Sequence, residues 1–283
     1  MKYFTSLFAI ILLWSCSQET NSSEESVINL TLLNGDHKTV YLVAQIEEDF
    51  DTIYTTPLEN GSAVLPYTVK YPELMYLNFD GAARPVQLFV DEDGLDVEID
   101  FINVPPAKVT GSEYHQQLDE FFEIEMSFNT AMQGLQSLRM HAQTDQVVAE
   151  LLKHKEDSIY ANFKNATVNF CKTNGLVGAF VANRRIFDMS YEQGDSIYQN
   201  ILAEHRGSSE VGTLKEKIEV LKKTRLGEAY TDIAQTNLVG EDLKLEEVIK
   251  ENEYTLIQFW ASWHRPSRIN NIALKEVYDQ FKT

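Results

Sequence analysis

Cysteine is nearly absent: the 283 residues hold two, Cys16 and Cys171. A disulfide framework of the kind that staples small secreted domains is therefore excluded. Basic residues are also scarce, 24 Lys and Arg against 43 Asp and Glu, for a formal charge of -19. That balance argues against a nucleic-acid surface or a polybasic membrane patch, both of which need clustered cations to meet phosphate. Histidines are few and scattered. His37, His115, His141, His154, His205 and His264 form no HxxxH pair and no His/Cys cluster, so no metal site and no cofactor is expected. Long apolar runs are missing too; the N-terminal one, Leu7 to Leu13, is too short to span a bilayer.

What is present suffices for folded cores: 43% hydrophobic and 11% aromatic residues, in a chain long enough for two domains of ordinary size. Lys2, the apolar run and the polar stretch Ser17 to Glu25 read as an export signal. Its ending, Leu13-Trp14-Ser15-Cys16, resembles a bacterial lipobox. The resemblance implies acylation of Cys16, cleavage before it, and a lipid-anchored protein of the cell envelope, facing the periplasm, with the outer membrane a possible home. Cys171 is then the one thiol of the folded body. Beside Phe170 in an apolar helical pattern, it is expected to be buried and inert.

From Ser26 to about Val109 apolar residues alternate with period two: Ile28, Leu30, Leu32; Val40, Leu42, Ala44; Met75, Leu77, Phe79; Leu88, Val90; Leu95, Val97, Ile99, Phe101. This predicts half-buried antiparallel strands in an all-β sandwich over 26–111. The turn signals Asn34-Gly35-Asp36, Glu59-Asn60-Gly61, Asp80-Gly81 and Asp93-Gly94 suit its hairpins. The acidic turn Asp91 to Gly94 lacks the ligand spacing of a calcium loop and reads as a hairpin turn. Glu47, Glu48, Asp49 and Asp51 read as a solvated loop.

After Gly111 the period changes to three and four. Leu118, Phe121, Ile124, Phe128, Met132 and Leu135 predict a long helix from near Ser112, with Ser112 as its N-cap. A second run carries Val148, Leu152, Ile159, Phe163 and Phe170 to Asn174-Gly175, and Leu176 to Phe187 reads as a shorter, more apolar helix. Residues 112–225 are thus a helical block.

The remaining residues, 226–283, hold a β-rich run, Tyr254 to Trp260, followed by Ala261-Ser262-Trp263-His264-Arg265-Pro266-Ser267-Arg268. Phe259 to Arg268 resembles the W-A-S-W-C-x-P-C-R signature of TlpA/ResA-like thioredoxin-family thiol-disulfide oxidoreductases, with His264 and Ser267 at the two cysteine positions. Trp260, Trp263 and Pro266 carry the rest of the motif. The strand Thr39 to Val43, the Asn60-Gly61 turn, Tyr71 to Phe79 and Phe89 to Gly94 resemble the β domain of unknown function that precedes such domains in envelope lipoproteins of Bacteroidota type. The family fold implies an opening strand near Gly227 to Ile233, a central parallel strand over Tyr254 to Trp260, and a helix from Pro266 to Phe281. It also implies further strands, one with a cis-proline, that residues 227–283 do not contain, so the thioredoxin-like α/β fragment is expected to be incomplete. Its sheet would need covering by the helical block, a second copy or a protein partner.

Dithiol exchange needs a thiolate at the helix N-terminus and a resolving thiol one turn on. His264 and Ser267 supply neither. The resemblance therefore implies a redox-inactive relative that binds or scaffolds. Two alternatives stay open: an oxidoreductase working through a partner chain or Cys171, and a truncated remnant. His264 and Ser267 are spaced to meet on one helical turn, but no G-x-S-x-G elbow and no acidic orienter accompany them as a hydrolytic pair.

Overall fold

The computed structural model describes residues 25–35, 37–46, 49–102, 107–141 and 146–281. The signal segment with Cys16, and Glu47 and Glu48, lie outside them. The chain divides into two compact units, one running to Arg225 and one from Leu226 to Thr283.

In the first unit, β1 (Ser26–Leu33), β4 (Ser62–Tyr67), β7 (Leu95–Asp100) and β8 (Ala107–Thr110) form one sheet in the order β4-β1-β7-β8. The other is β3-β2-β5-β6, from β2 (Thr39–Ile46), β3 (Asp49–Pro57), β5 (Glu73–Phe79) and β6 (Val86–Val90). The alternating residues meet between the sheets: Ile28, Leu30, Leu65, Val97 and Ile99 from one face Leu42, Met75, Leu77 and Leu88 from the other, all at 2% exposure or less. The expected two-sheet β module is present.

Its connections and strands differ from the expectation in four ways. The β1–β7 pair is parallel, not antiparallel. The Asn34-Gly35 and Asp93-Gly94 turns join strands of different sheets, so they are crossings of the sandwich and not hairpins. The Asn60-Gly61 turn is tight, with φ of 52° and 78° and reciprocal Glu59–Ser62 backbone hydrogen bonds, yet it too passes from one sheet to the other. Positive φ at both central residues is why Asn-Gly occupies it. Finally, Asp49 and Asp51 lie in β3, an edge strand paired to β2, and not in a loop. Charge along an exposed edge discourages pairing with another chain.

Helices cover the outer face of the second sheet. α1 (Glu113–His141) and α2 (Gln146–Thr173) form a long pair, followed by α3 (Gly175–Arg185), a 3₁₀ turn at Ile186–Asp188, α4 (Tyr191–Asn200), another at Ala203–Gly207, and α5 (Ser209–Thr224). Val43, Leu74, Tyr76 and Phe89 leave the sheet on this side and join Leu118, Phe121, Phe170, Val177 and Phe180 in a second core. Phe89 stacks on Tyr114 and meets Phe180 edge-on, with centroids 6.2 and 5.8 Å apart. β2, β5 and β6 bury residues on both faces, so sandwich and helical block share a core within the first unit.

The second unit contains a short hairpin of β9 (Ala234–Thr236) and β10 (Asp242–Lys244), then α6 (Leu245–Lys250) and α7 (Arg265–Phe281). The opening strand expected at Gly227 to Ile233 is not formed; pairing begins at Ala234. Tyr254 to Trp260 is not a strand either. A strand needs a neighbour for its backbone groups, and the two strands described in this unit pair with each other.

Candidate functional site

α7 starts where the motif predicts. Pro266 is its second residue, a position where a missing N–H costs nothing and the fixed φ suits the helix. His264 precedes it, its carbonyl accepting from the Arg268 N–H at 3.3 Å. The His264 Nδ1 and Ser267 Oγ atoms lie 2.6 Å apart. Ser267 is 9% exposed, and Arg268 Nη1 donates to the Ser262 carbonyl at 2.5 Å, folding the segment back on itself. Trp263 meets the His264 ring edge-on at 5.9 Å, while Trp260 and Trp263 are 58% and 81% exposed.

Chemically the pair can share a proton but cannot carry electrons, because neither atom forms a disulfide. As a nucleophile Ser267 lacks support. Among the described residues no carboxylate accepts from His264 Nε2, so no acidic group is placed to stabilise an imidazolium. Cys171 offers no substitute. It is 1% exposed, and burial pushes its thiol up to about 12, so near neutral pH it stays protonated.

The acidic turn at Asp91 is structural, and it is more than a turn. Asp91 is 4% exposed; its Oδ1 accepts from the Asp93 N–H at 3.0 Å and its Oδ2 from the Ser112 hydroxyl at 2.5 Å. Ser112 in turn caps α1, its Oγ accepting from the His115 N–H at 3.2 Å. His115 Nδ1 accepts from the Phe89 N–H at 3.1 Å, which ties the helix to β6. Tyr67 closes the knot by donating to the Asp91 carbonyl at 2.6 Å; burial and then the Asp91 charge push its hydroxyl up to about 12. No group of three metal-ligating side chains occurs among the described residues.

A cleft of about 320 Å³ between β5, α3 and α5 gathers residues that no local motif announces. Glu73, Phe180, Asn183, Arg184, Glu210 and Lys217 line it. Asn183 Nδ2 donates to the Glu210 carbonyl and to Glu210 Oε2, both at 2.8 Å, and Lys217 Nζ donates to the Asn183 carbonyl at 2.7 Å. The Arg184 guanidinium lies 4.0 Å from the Phe180 ring centroid. Burial, and then the Glu210 charge, hold the Glu73 carboxyl above its ordinary value of 4.5. Residues this far apart in the chain meet only once the sheet and helices pack, so periodicity and spacing hold no signal for them.

The described body is thus a two-sheet sandwich with a helical layer on one sheet. Residues 26–118 match the family described as Domain of unknown function (DUF4369). The match runs through β8 and stops at Leu118, inside α1, just past the Asp91–Ser112–His115 knot. Comparison with curated proteins gives no match, and comparison with solved structures gives none.

Proposed function

We propose that this protein is a cell-envelope lipoprotein related to TlpA/ResA-like thiol-disulfide oxidoreductases, redox-inactive, and acting as a binding or scaffolding protein. The observation that carries this reading is the His264–Ser267 hydrogen bond at the start of α7, where the family motif has its two sulfurs. Cys16 would hold the lipid anchor to the membrane. No described helix is long and apolar enough to cross a membrane by itself. A protein partner would cover the segment that holds Leu256, Phe259 and Trp260, exposed at 77%, 82% and 58%.

Reduction of insulin disulfides by the purified chain tests the redox half of this reading. The expected rate equals the buffer blank; turnover that Cys171→Ser abolishes would overturn it. Metabolic labelling with a fatty acid tests the anchor. Label on the wild type and none on Cys16→Ala is expected, whereas an unlabelled wild type removes the lipoprotein assignment.

A further inference from the structure

The cleft between β5, α3 and α5 has charges of both signs on its wall and leaves them unjoined. Among the described residues no ion pair links Glu73 or Glu210 to Arg184 or Lys217, although all four line the same 320 Å³ space. Glu73, Glu210 and Lys217 are half-buried and Arg184 is exposed; half-buried charges that share a cleft normally pair, because each has given up water and needs a compensating partner. Here the cations are held elsewhere. Arg184 lies over the Phe180 ring at 4.0 Å, and Lys217 is spent on the Asn183 carbonyl at 2.7 Å. Glu210 is fixed by Asn183 Nδ2 at 2.8 Å. One further acceptor in the wall is unspent: Asn183 Oδ1 is enclosed and accepts no hydrogen bond. Native structures leave few buried polar atoms this way, and a ligand is one explanation for such an atom.

We infer that this cleft binds a small zwitterion, a free α-amino acid, whose ammonium sits by the Glu73 and Glu210 carboxylates and whose carboxylate meets Arg184. Both charges are needed. A simple cation would make no use of the Arg184 fork, and a simple anion would face two carboxylates. The volume, at the lower end of small-molecule sites, suits one amino acid and not a folded segment. Arg184 offers the planar fork that recognises a carboxylate, and its stack on Phe180 orients that fork beforehand. The raised Glu73 carboxyl agrees with this assignment, since a desolvated carboxylate beside a like charge is stabilised by an arriving ammonium. The site lies in the first unit and is independent of the redox-inactive reading of His264 and Ser267.

Isothermal titration calorimetry on the full chain tests it with L-alanine, L-glutamine and L-phenylalanine. N-acetylalanine, which lacks the ammonium, and alanine amide, which lacks the carboxylate, are the controls. Saturable binding of at least one free amino acid is expected, with neither blocked form binding. Glu73→Gln and Arg184→Gln should each weaken it by about tenfold or more, as loss of a charge-assisted hydrogen bond does, while the far-ultraviolet circular dichroism stays that of the wild type. Absence of binding by all three amino acids overturns the inference. So does binding that the blocked forms share or that both variants retain.

Discussion

Gly178 shows how much one atom decides where two helices pass closely. A Cβ there would collide with the Cys171 carbonyl, a backbone atom of α2 that cannot swing aside. Gly178→Ala should therefore cost about 1–3 kcal/mol, the usual penalty of overpacking, read as a lower denaturation midpoint. An unchanged midpoint would mean that α2 and α3 are not this close. Glu73 behaves in the opposite sense. Its carboxyl is raised above 4.5 by burial first and Glu210 second, so the folded state binds its proton more tightly than the unfolded chain does. The stability this contributes is fully present below 4.5 and is lost as pH rises through the raised value. Glu73→Gln removes that loss. Its melting temperature should exceed the wild type's at neutral pH, with the gap closing below 4.5; a gap of equal size at both pH values would contradict the assignment. A variant that is more stable yet no longer binds an amino acid would also separate a lost ligand contact from a lost fold.

Two helix starts compare the worth of a cap in different surroundings. Ser190 opens α4 in a reciprocal capping box with Gln193 at the surface. Ser112 opens α1 at 1% exposure and also satisfies Asp91. Ser190→Ala should cost about 1 kcal/mol as a plain lost cap. Ser112→Ala should cost about 2–4 kcal/mol, because the cap goes and a buried carboxylate oxygen is orphaned with it. Equal costs in urea titrations would reduce the Asp91 knot to an ordinary helix start. The Ser112 cap was legible from sequence, since a change of period and a serine mark it; its bond to Asp91 was not, because that turn reads locally as any Asp-Gly turn. The same limit runs through the sheets. β1, β2, β5, β6 and β7 announce their inner faces through residues such as Ile28, Leu42, Met75, Leu88 and Val97. β3 does not, since both its faces are largely exposed and Phe50, Ile53 and Tyr54 bury nothing in alternation. Its β-branched and aromatic content was the available signal. The outer-face residues Leu74, Tyr76 and Phe89 break the alternation because helices cover that side as well. The cleft is the extreme case, since Glu73 on β5, Asn183 and Arg184 on α3, and Glu210 and Lys217 on α5 come together from three elements far apart in the chain.

At the scale of the whole molecule the hydrophobic residues are divided unequally between the two units. Among the described residues every buried apolar side chain lies before residue 226, and after it Ser267 alone is buried. Leu238, Tyr254, Phe259, Trp263 and Ile272 of the second unit are exposed at 106%, 87%, 82%, 81% and 65%. Burial of apolar area is the main term that offsets chain entropy, and this unit has little of it. Its hairpin and helices rest on local hydrogen bonds, such as Asp232 Oδ1 accepting from the Glu246 N–H at 2.9 Å and the Lys250–Glu246 pair on α6. Exposed pairs of that kind contribute little. The amides of 226–281 should therefore exchange with solvent orders of magnitude faster than those of β1, β2, β5 and β7, where opening approaches the global unfolding free energy. Hydrogen exchange read by mass spectrometry checks this. A chain ending at Arg225 should melt at the wild-type temperature and lose most of the binding of a hydrophobic dye, because the exposed aromatic surface goes with the second unit. A melting temperature lowered by several degrees, or slow exchange across Tyr254 to Trp260, would mean that this segment has found a covering surface, and a native molecular mass twice that of the monomer would name it as a second copy of the chain.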